Sequence, residues 1–410
     1  MGSTYVEFFS SEALENVMCL LQYKPDRIIY LGHKSTMLTR KIESLKAFAA
    51  IRSPETELEF IEVPRDDLDG CIMQLADISD RYPDAIYELT GGGEMVLIAF
   101  GFISATRNMN TLRIDPYTGL EVKMLPDKKP TQNRDHITIS VKENMILHGG
   151  QLTRQTGNYS TWSFTEEFKA DIRSIWSIAR DLKSRWNRYC ATIEDVLKSY
   201  PPDESGLYIL PKSTLGESIK LFDLLEKKGM LRDFSFDAKR IRFRFKSSAI
   251  RHIVTKTGNI LELHVYEVAS RRPDIFTDEI IGAVIDWKAD KSSEEKAEYI
   301  DQYQRYMNEN YDTINEIDVI LMRSCSPLFI SCKSGKAGSS ALHELETVTS
   351  RFGGKYANKA LAMALPCEKS ASGTSFFKQR AKEMHIWVID DIYNMKDEDL
   401  LNKLIKISNA

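Results

Sequence analysis

Two short apolar segments near the C-terminal end of this chain carry the residues best suited to chemistry. Ile317 to Met322 and Leu328 to Cys332 flank a polar break that contains Pro327, and this spacing predicts a β-hairpin. Such a hairpin would place Asp318, on one strand, near Lys333, at the end of the next strand. An ammonium group is not easily buried in a core, so Lys333 either reaches solvent or serves a site.

Strand alternation gives Glu316 and Asp318 one face, and gives Ser331 and Lys333 one face. Metal-dependent cleavage of a phosphodiester uses such groups, because a carboxylate and a backbone carbonyl hold a hard divalent cation. The cation acidifies a water and neutralises charge in the transition state. A nearby lysine orients the water or adds positive charge. The alternative is a solvated hairpin edge, since charged residues are common at strand edges.

This segment resembles the PD-(D/E)xK nuclease superfamily, over roughly residues 249–410. Asp318 matches the aspartate of that family and Lys333 its lysine. The family has a helical acid upstream, where Glu262 follows Gly258 in a predicted helix. The resemblance implies that Asp318, Glu262 and the Cys332 carbonyl bind Mn²⁺ or Mg²⁺, and that Lys333 assists the attacking water.

One position departs from the family pattern. Ser331 stands two residues before the lysine, where the family usually has an acid. The cation would lose a charged ligand, so we expect weaker metal binding or an acid supplied from elsewhere, with Glu316 and Glu344 as candidates. A nuclease fold that binds without cleaving is the alternative.

A second segment fits the literal motif more closely, with Pro273-Asp274 followed by Asp286-Trp287-Lys288. Asp274 lies in a polar stretch rather than on an apolar strand. Residues 279–287 are predicted to form the first strand of the nuclease sheet, with Asp286 near its exit. The hairpin is therefore the favoured site.

Another candidate site lies near the N-terminus, where the loop Thr-Gly-Gly-Gly-Glu at residues 90–94 separates a predicted strand from a predicted helix. Its glycines let backbone N–H groups approach a ligand closely. The loop fits neither the dinucleotide-binding motif nor the P-loop motif. Glu94 would repel a bare phosphate, but it could accept a hydrogen bond from an adenine amine or a ribose hydroxyl. A tight turn at a helix start is the alternative.

Residues 4–125 alternate strand-like and helix-like segments, which favours a parallel, doubly wound sheet. Ligands of such sheets bind outside the carboxyl ends of the strands. The loop at residues 90–94 and the residues that follow the first strand, Phe9-Ser10-Ser11, would both lie there.

These two segments, together with the C-terminal pattern, resemble CRISPR-associated Rossmann-fold (CARF) effectors fused to a PD-(D/E)xK nuclease. The resemblance implies a homodimer whose paired CARF domains bind a cyclic oligoadenylate, most often cyclic tetra-adenylate. Binding would then activate cleavage of single- or double-stranded nucleic acid. The residues implied in ligand binding are Ser10, Ser11, Thr90, Gly91, Gly92, Gly93 and Glu94.

The middle of the chain predicts a strand over residues 136–141 and amphipathic helices over 166–183 and 213–229. An alternating strand over 240–245 then places three arginines on one face. Helices followed by such a strand fit a winged-helix-like linker that contacts phosphate. A solvated basic face is the alternative interpretation.

Composition limits the class of protein. The formal net charge of −4 excludes a generally basic protein, so nucleic acid must be bound by local patches. The six cysteines lack short paired spacings, which favours a reducing cytoplasm over a disulfide framework. No stretch approaches the roughly 20 apolar residues needed to span a bilayer, so we expect no membrane segment.

The sequence therefore predicts an α/β protein with three parts. Residues 1–145 form a Rossmann-like CARF domain, 146–248 a helical, winged-helix-like connector, and 249–410 a restriction-endonuclease-like PD-(D/E)xK domain. The expected activity is that of a nuclease activated by a cyclic oligoadenylate in type III CRISPR antiviral defence. A signal-binding protein with an inactive nuclease fold, and a CARF-type transcription regulator, are the alternatives.

Overall fold

Three β-sheets and the helices that cover them make up the protein in a computed structural model. It describes residues 3–107, 109–117, 121–123, 137–287, 314–368 and 375–409. Within those residues the sheets contain six, three and six strands.

The first sheet is formed by residues 4–123 and is parallel except at one edge. Its order is β3-β2-β1-β4-β5-β6, and only β5 and β6 run antiparallel to each other. The predicted Rossmann-like sheet is thereby confirmed. The strands are β1 (Thr4–Phe8), β2 (Arg27–Gly32), β3 (Glu57–Glu62), β4 (Ile86–Glu88), β5 (Asn110–Ile114) and β6 (Glu121–Lys123). The helices are α1 (Met18–Tyr23), α2 (Thr39–Arg52), α3 (Leu68–Arg81) and α4 (Glu94–Ser104).

The strand order of this sheet reverses between β1 and β4. From β1 the chain builds outward through β2 and β3, and it then returns to build β4 and β5 on the other side. The loops that leave β1 and β4 start side by side and continue to opposite faces of the sheet, so a crevice opens at the carboxyl ends of these two strands. The two loops implied in ligand binding lie at this crevice.

A connector follows, with α5 (Val141–Leu147), β7 (Gln151–Gln155), α6 (Glu166–Leu182) and α7 (Ser184–Ser199). The next elements are β8 (Tyr208–Pro211), α8 (Ile219–Lys227), β9 (Leu231–Phe236), β10 (Arg240–Phe245) and α9 (Ser248–Thr255). β10 pairs antiparallel with both β8 and β9. Helix, strand, helix and two closing strands follow one another as in a winged-helix unit.

The third sheet has the order β15-β14-β13-β12-β11-β7. Besides β7, its strands follow α10 (Asn259–Ala269), and the first of them are β11 (Asp278–Asp286), β12 (Ile314–Arg323) and β13 (Ser326–Lys333). The later elements are α11 (Ser339–Phe352), β14 (Asn358–Met363), α12 (Phe376–Glu383), β15 (Trp387–Ile389) and α13 (Asp397–Ile407).

Two features of residues 136–155 differ from the sequence-based expectation. Residues 137–140 lie outside helices and strands, and Val141 begins a helix, because Ser140 and Glu143 form a reciprocal cap. β7 pairs with β11 and so joins the third sheet. The domain boundaries after residues 145 and 248 stay predictions.

The first and third sheets share one hydrophobic core. Phe9, Phe48 and Met145 pack in the same buried cluster as Phe329 and Phe352. On its other face, the third sheet packs against α6, α7, α10 and α13 in a second cluster. The third sheet is therefore a central layer: one face shares a core with the first sheet, and the other face packs against α6, α7, α10 and α13.

All six cysteines are buried and free of disulfides. Among the described residues, no helix combines the length and the apolar character needed to cross a bilayer.

Candidate active site and ligand-binding crevice

The predicted hairpin is formed by β12 and β13, which pair from Val319 opposite Ile330 to Arg323 opposite Ser326. Just beyond this ladder, the side-chain carboxylate of Asp318, rather than a backbone carbonyl, accepts from the backbone of β13. Its Oδ2 accepts hydrogen bonds from the Cys332 backbone N–H, at 2.5 Å, and from the Ser331 hydroxyl, at 3.2 Å. Ser331, at the position where the family has an acid, thus fixes the aspartate.

The backbone of Cys332 gives the site a second oxygen. The N–H and C=O of a strand residue point to the same side, so the Cys332 carbonyl faces the side on which its N–H meets Asp318. Its thiol is buried, and burial, followed by the charge of Asp318, raises the pKa of that thiol well above its usual value. The thiol therefore stays protonated, and the carbonyl is the group of Cys332 suited to a hard cation.

Glu262 approaches from the first turn of α10. Its Oε2 accepts a hydrogen bond of 3.0 Å from the hydroxyl of Tyr159, a fully buried residue in the 3-10 turn Thr156–Thr161. Tyr159 belongs to the site, yet no sequence motif pointed to it. Its position depends on β7, which carries this turn into the third sheet.

The ionisable groups of the site act on one another's pKa values. Burial, then repulsion from Asp318, raises the pKa of Glu262 to about 8, while the Tyr159 hydrogen bond and Lys333 act in the opposite direction. Burial also raises the pKa of Asp318, against the Cys332 hydrogen bond and the charge of Lys333. Glu316 raises both pKa values further. The pKa values of Glu262 and Asp318 therefore both respond to Lys333 and to Glu316.

A divalent cation suits this donor set, since the available ligands are the oxygens of carboxyl groups and of a backbone carbonyl. Glu316 is the better of the two candidates for the acid missing at Ser331, because its charge acts on both Glu262 and Asp318. Glu344 is exposed on α11 and has no effect on either pKa. In the part of the chain that the structure describes, Glu262, Glu316 and Asp318 do not lie within 4.8 Å of one another, so they must move closer to share an ion.

A tighter cluster lies on another face of α10. Ligand atoms of His264, Glu267 and Asp397 lie within 4.8 Å of one another. Arg271 bonds both Glu267 and Asp397, and Arg173 donates to Glu267 at 2.6 Å. Two guanidinium groups already neutralise the two carboxylates, so this network fixes α10 to α6 and α13.

The competing motif does not assemble. Asp274 lies before the first residue of β11 and is exposed, bonded to Arg272 at 2.8 Å. Asp286 is the last residue of β11, which spans nine residues, or roughly 27 Å in extended form. The two aspartates therefore lie at opposite ends of one strand. Lys288 falls outside the described residues.

The loops after β1 and β4 meet at the crevice of the first sheet. A Cβ atom at Gly91 would lie 2.8 Å from Cβ of Ser10. Ser10 is buried, and its hydroxyl accepts from the Glu12 N–H, so it shapes the turn. The Thr90 hydroxyl is bonded to Glu88 and to the Ile114 backbone.

The residues open to a ligand are Ser11, Gly93 and Glu94, which are exposed. Gly92 has a φ of +120°, and a Cβ there would lie 2.5 Å from Cβ of Phe8, so only glycine fits. A Cβ at Gly93 would meet nothing within 4 Å. Gly92 thus serves the loop conformation, while Gly93 faces open space.

Comparison with solved structures identifies proteins of the same fold. The chain superposes on protein VC1899 from Vibrio cholerae with a TM-score of 0.73 and 15% sequence identity, covering 98% of this chain and 97% of that one. It superposes on Can2 from Sulfobacillus thermosulfidooxidans, solved with cyclic tetra-adenylate, with a TM-score of 0.65 and 18% identity, covering 100% and 98%. No family model and no curated protein matches the chain. The likeness to CARF effectors drawn from the sequence is confirmed for the fold.

Glu262→Gln should stabilise the metal-free protein, because the neutral amide keeps an acceptor for Tyr159 and removes a buried charge. At pH 9, above the pKa of Glu262, we expect a thermal midpoint about 2–4 °C higher than in the wild type. The same variant should lose most of the stabilisation that Mn²⁺ gives the wild type.

Scanning calorimetry with and without Mn²⁺ measures both effects, with the exposed Glu204→Gln as a control. A Glu262→Gln protein that is less stable than the wild type, and that Mn²⁺ still stabilises fully, would show that Glu262 is a structural residue.

Proposed function

We propose that this chain is a metal-dependent nuclease, activated by a cyclic oligoadenylate, that cleaves RNA or DNA in type III CRISPR antiviral defence. The observation that carries the nuclease part is the convergence of Glu262, Asp318 and Lys333 from three separate elements. Burial raises the pKa values of the neighbouring Glu262 and Asp318, and clustered groups with such shifts are typical of functional sites.

Each residue has a distinct part in the proposed reaction. A bound Mn²⁺ or Mg²⁺ would acidify a water and offset charge on the phosphate. Asp318 is held in place by Ser331 and the Cys332 N–H, which leaves its other oxygen for the cation. Tyr159 orients Glu262. Lys333 keeps the attacking water or a non-bridging phosphate oxygen in position.

The ligand part rests on the crevice between β1 and β4. Can2, whose fold this chain shares along its whole length, was solved with cyclic tetra-adenylate. We assign the same class of ligand to the exposed Ser11, Gly93 and Glu94.

A homodimer would cover the apolar residues that α4 exposes on its outer face. This helix begins at Glu94, beside the glycine loop, and exposes Ile98 and Phe102 one turn apart. A second copy packed on this face would bring two glycine loops to one two-fold axis, where a symmetric ring contacts both.

Direct contacts link the crevice to the nuclease half. The carboxylate of Glu15, buried beside Gly91, accepts from the Tyr356 hydroxyl at 2.6 Å and pairs with Lys355 at 2.5 Å. Glu12 accepts from the Lys355 backbone N–H at 3.0 Å. A ligand that moves the glycine loop would therefore act on residues 354–356, which lie between α11 and β14.

The transcription-regulator alternative finds less support. Helix α8, which would enter a DNA groove, exposes Lys220 and Lys227 beside Asp223 and Glu226, so it has no basic surface. Arg244 is bonded to Asp233 rather than free for phosphate.

Lys333→Ala and Asp318→Ala should each reduce cleavage at least about 100-fold, since the first removes a positive charge beside the reacting phosphate and the second removes a ligand of the proposed cation. Ligand binding should be unchanged. The assay is cleavage of labelled RNA and DNA, single- and double-stranded, with cyclic tetra-adenylate and Mn²⁺. Asp286→Ala serves as the control, and loss of activity in that variant alone would transfer the site to Asp286.

Gly93→Asp should abolish binding of cyclic tetra-adenylate without loss of the fold, because the new carboxylate projects into the open crevice and repels phosphates. Calorimetric titration should show one ring per two chains for the wild type. Gly335→Asp, at a glycine that also faces open space, should bind normally. Tight binding by Gly93→Asp would place the ligand elsewhere.

A further inference from the structure

A basic cleft of about 340 Å³ lies between the C-terminal half of α7, helix α9 and the turn that carries Tyr159. Lys198, Arg251 and Lys256 line it, with Trp162 and His252. Glu194 bonds Lys256 at 2.8 Å and Lys198 at 3.2 Å. The guanidinium of Arg251 is exposed and has no ion pair among the described residues.

Aromatic contacts connect this cleft to the candidate active site. The ring of Trp162 lies edge-on to Tyr159, with centroids 5.0 Å apart, and edge-on to His252 at 5.5 Å. Tyr159 in turn bonds Glu262. The side chains of Tyr159 and Trp162 therefore connect the carboxylate of Glu262 to the cleft.

The backbone gives a second connection. Lys256 precedes Gly258 by two residues, and a Cβ at Gly258 would lie 3.9 Å from Oε1 of Glu262 and 3.8 Å from the Ser334 hydroxyl. Helix α7 joins the same two places. Asn187 donates to the Ser334 hydroxyl at 3.0 Å, and Lys198 lies eleven residues further on, or roughly 16 Å along the helix.

We propose that this cleft binds a single nucleic-acid strand beside the scissile phosphate. Arg251, which has no ion pair among the described residues, contacts a backbone phosphate, and Trp162 stacks on a base, as proteins that bind single strands combine the two. The proposal rests on the proposed nuclease function and names its substrate class.

The size of the cleft favours a single strand over a duplex. Its volume is near the lower end of the roughly 300–1,000 Å³ found for ligand pockets, so it suits one nucleotide. The base in a duplex is hidden in the stack, where the half-buried Trp162 does not reach it.

Binding by the full chain tests this assignment in a Lys333→Ala background, which prevents cleavage. Fluorescence anisotropy with labelled 20-nucleotide RNA and DNA, single-stranded and duplex, would be measured over a range of salt concentrations. Arg251→Ala should weaken single-strand binding and reduce the salt slope by about 0.7, as expected for one lost phosphate contact.

Trp162→Leu should weaken single-strand binding roughly 5- to 100-fold, as loss of one stacked base does. Lys403→Ala, an exposed lysine on α13, should bind normally. Unchanged affinity and salt slope in a folded Arg251→Ala protein would overturn the proposal. An equal loss of duplex binding would overturn the single-strand assignment. If binding depends on Arg251 but the chain with Lys333 intact never cleaves nucleic acid, the nuclease function is refuted while the assignment of the cleft is supported.

Discussion

The carboxylate of Glu15 makes a direct polar contact between the two halves of the protein. It is buried beside the glycine loop of the first sheet, and its partners Tyr356 and Lys355 come from the third sheet's side. Loss of a partner from a buried charge costs more than the bond itself contributes. Under the proposed function, movement at the crevice would therefore act on residues 354–356.

A shared hydrophobic core couples the two sheets that the Glu15 contact joins. Because the first and third sheets bury their apolar faces in one cluster, neither half can shift alone without exposing that core. The third sheet also carries Asp318 and Lys333, while its other face packs on α6, α7 and α10. The crevice of the first sheet, the candidate catalytic residues and the basic cleft are thus all attached to one layer.

Local pattern predicted much of this arrangement. Alternating apolar runs located the βα units of the first sheet and the hairpin of Asp318 and Lys333, because strands reveal themselves through short-range periodicity. The same rules missed the joining of β7 to the third sheet and the role of Tyr159. Both depend on residues more than 100 positions away, and sequence spacing carries no signal for them. The strand predicted over residues 136–141 was wrong at 137–141 for a local reason, since the cap formed by Ser140 and Glu143 outweighed the alternation; residue 136 lies outside the described residues.

The direct test of the account is the activation ratio of Tyr356→Phe, the cleavage rate with cyclic tetra-adenylate divided by the rate without it. Only the hydroxyl that bonds Glu15 is removed, and a hydrogen bond to a charged group contributes roughly 1.5–3 kcal/mol. Tyr23→Phe is the matched control, since Tyr23 bonds Glu121 at the same 2.6 Å within the first domain. The account predicts that the ratio changes at least about 10-fold in Tyr356→Phe and stays unchanged in Tyr23→Phe. Equal ratios in both variants and the wild type would contradict it.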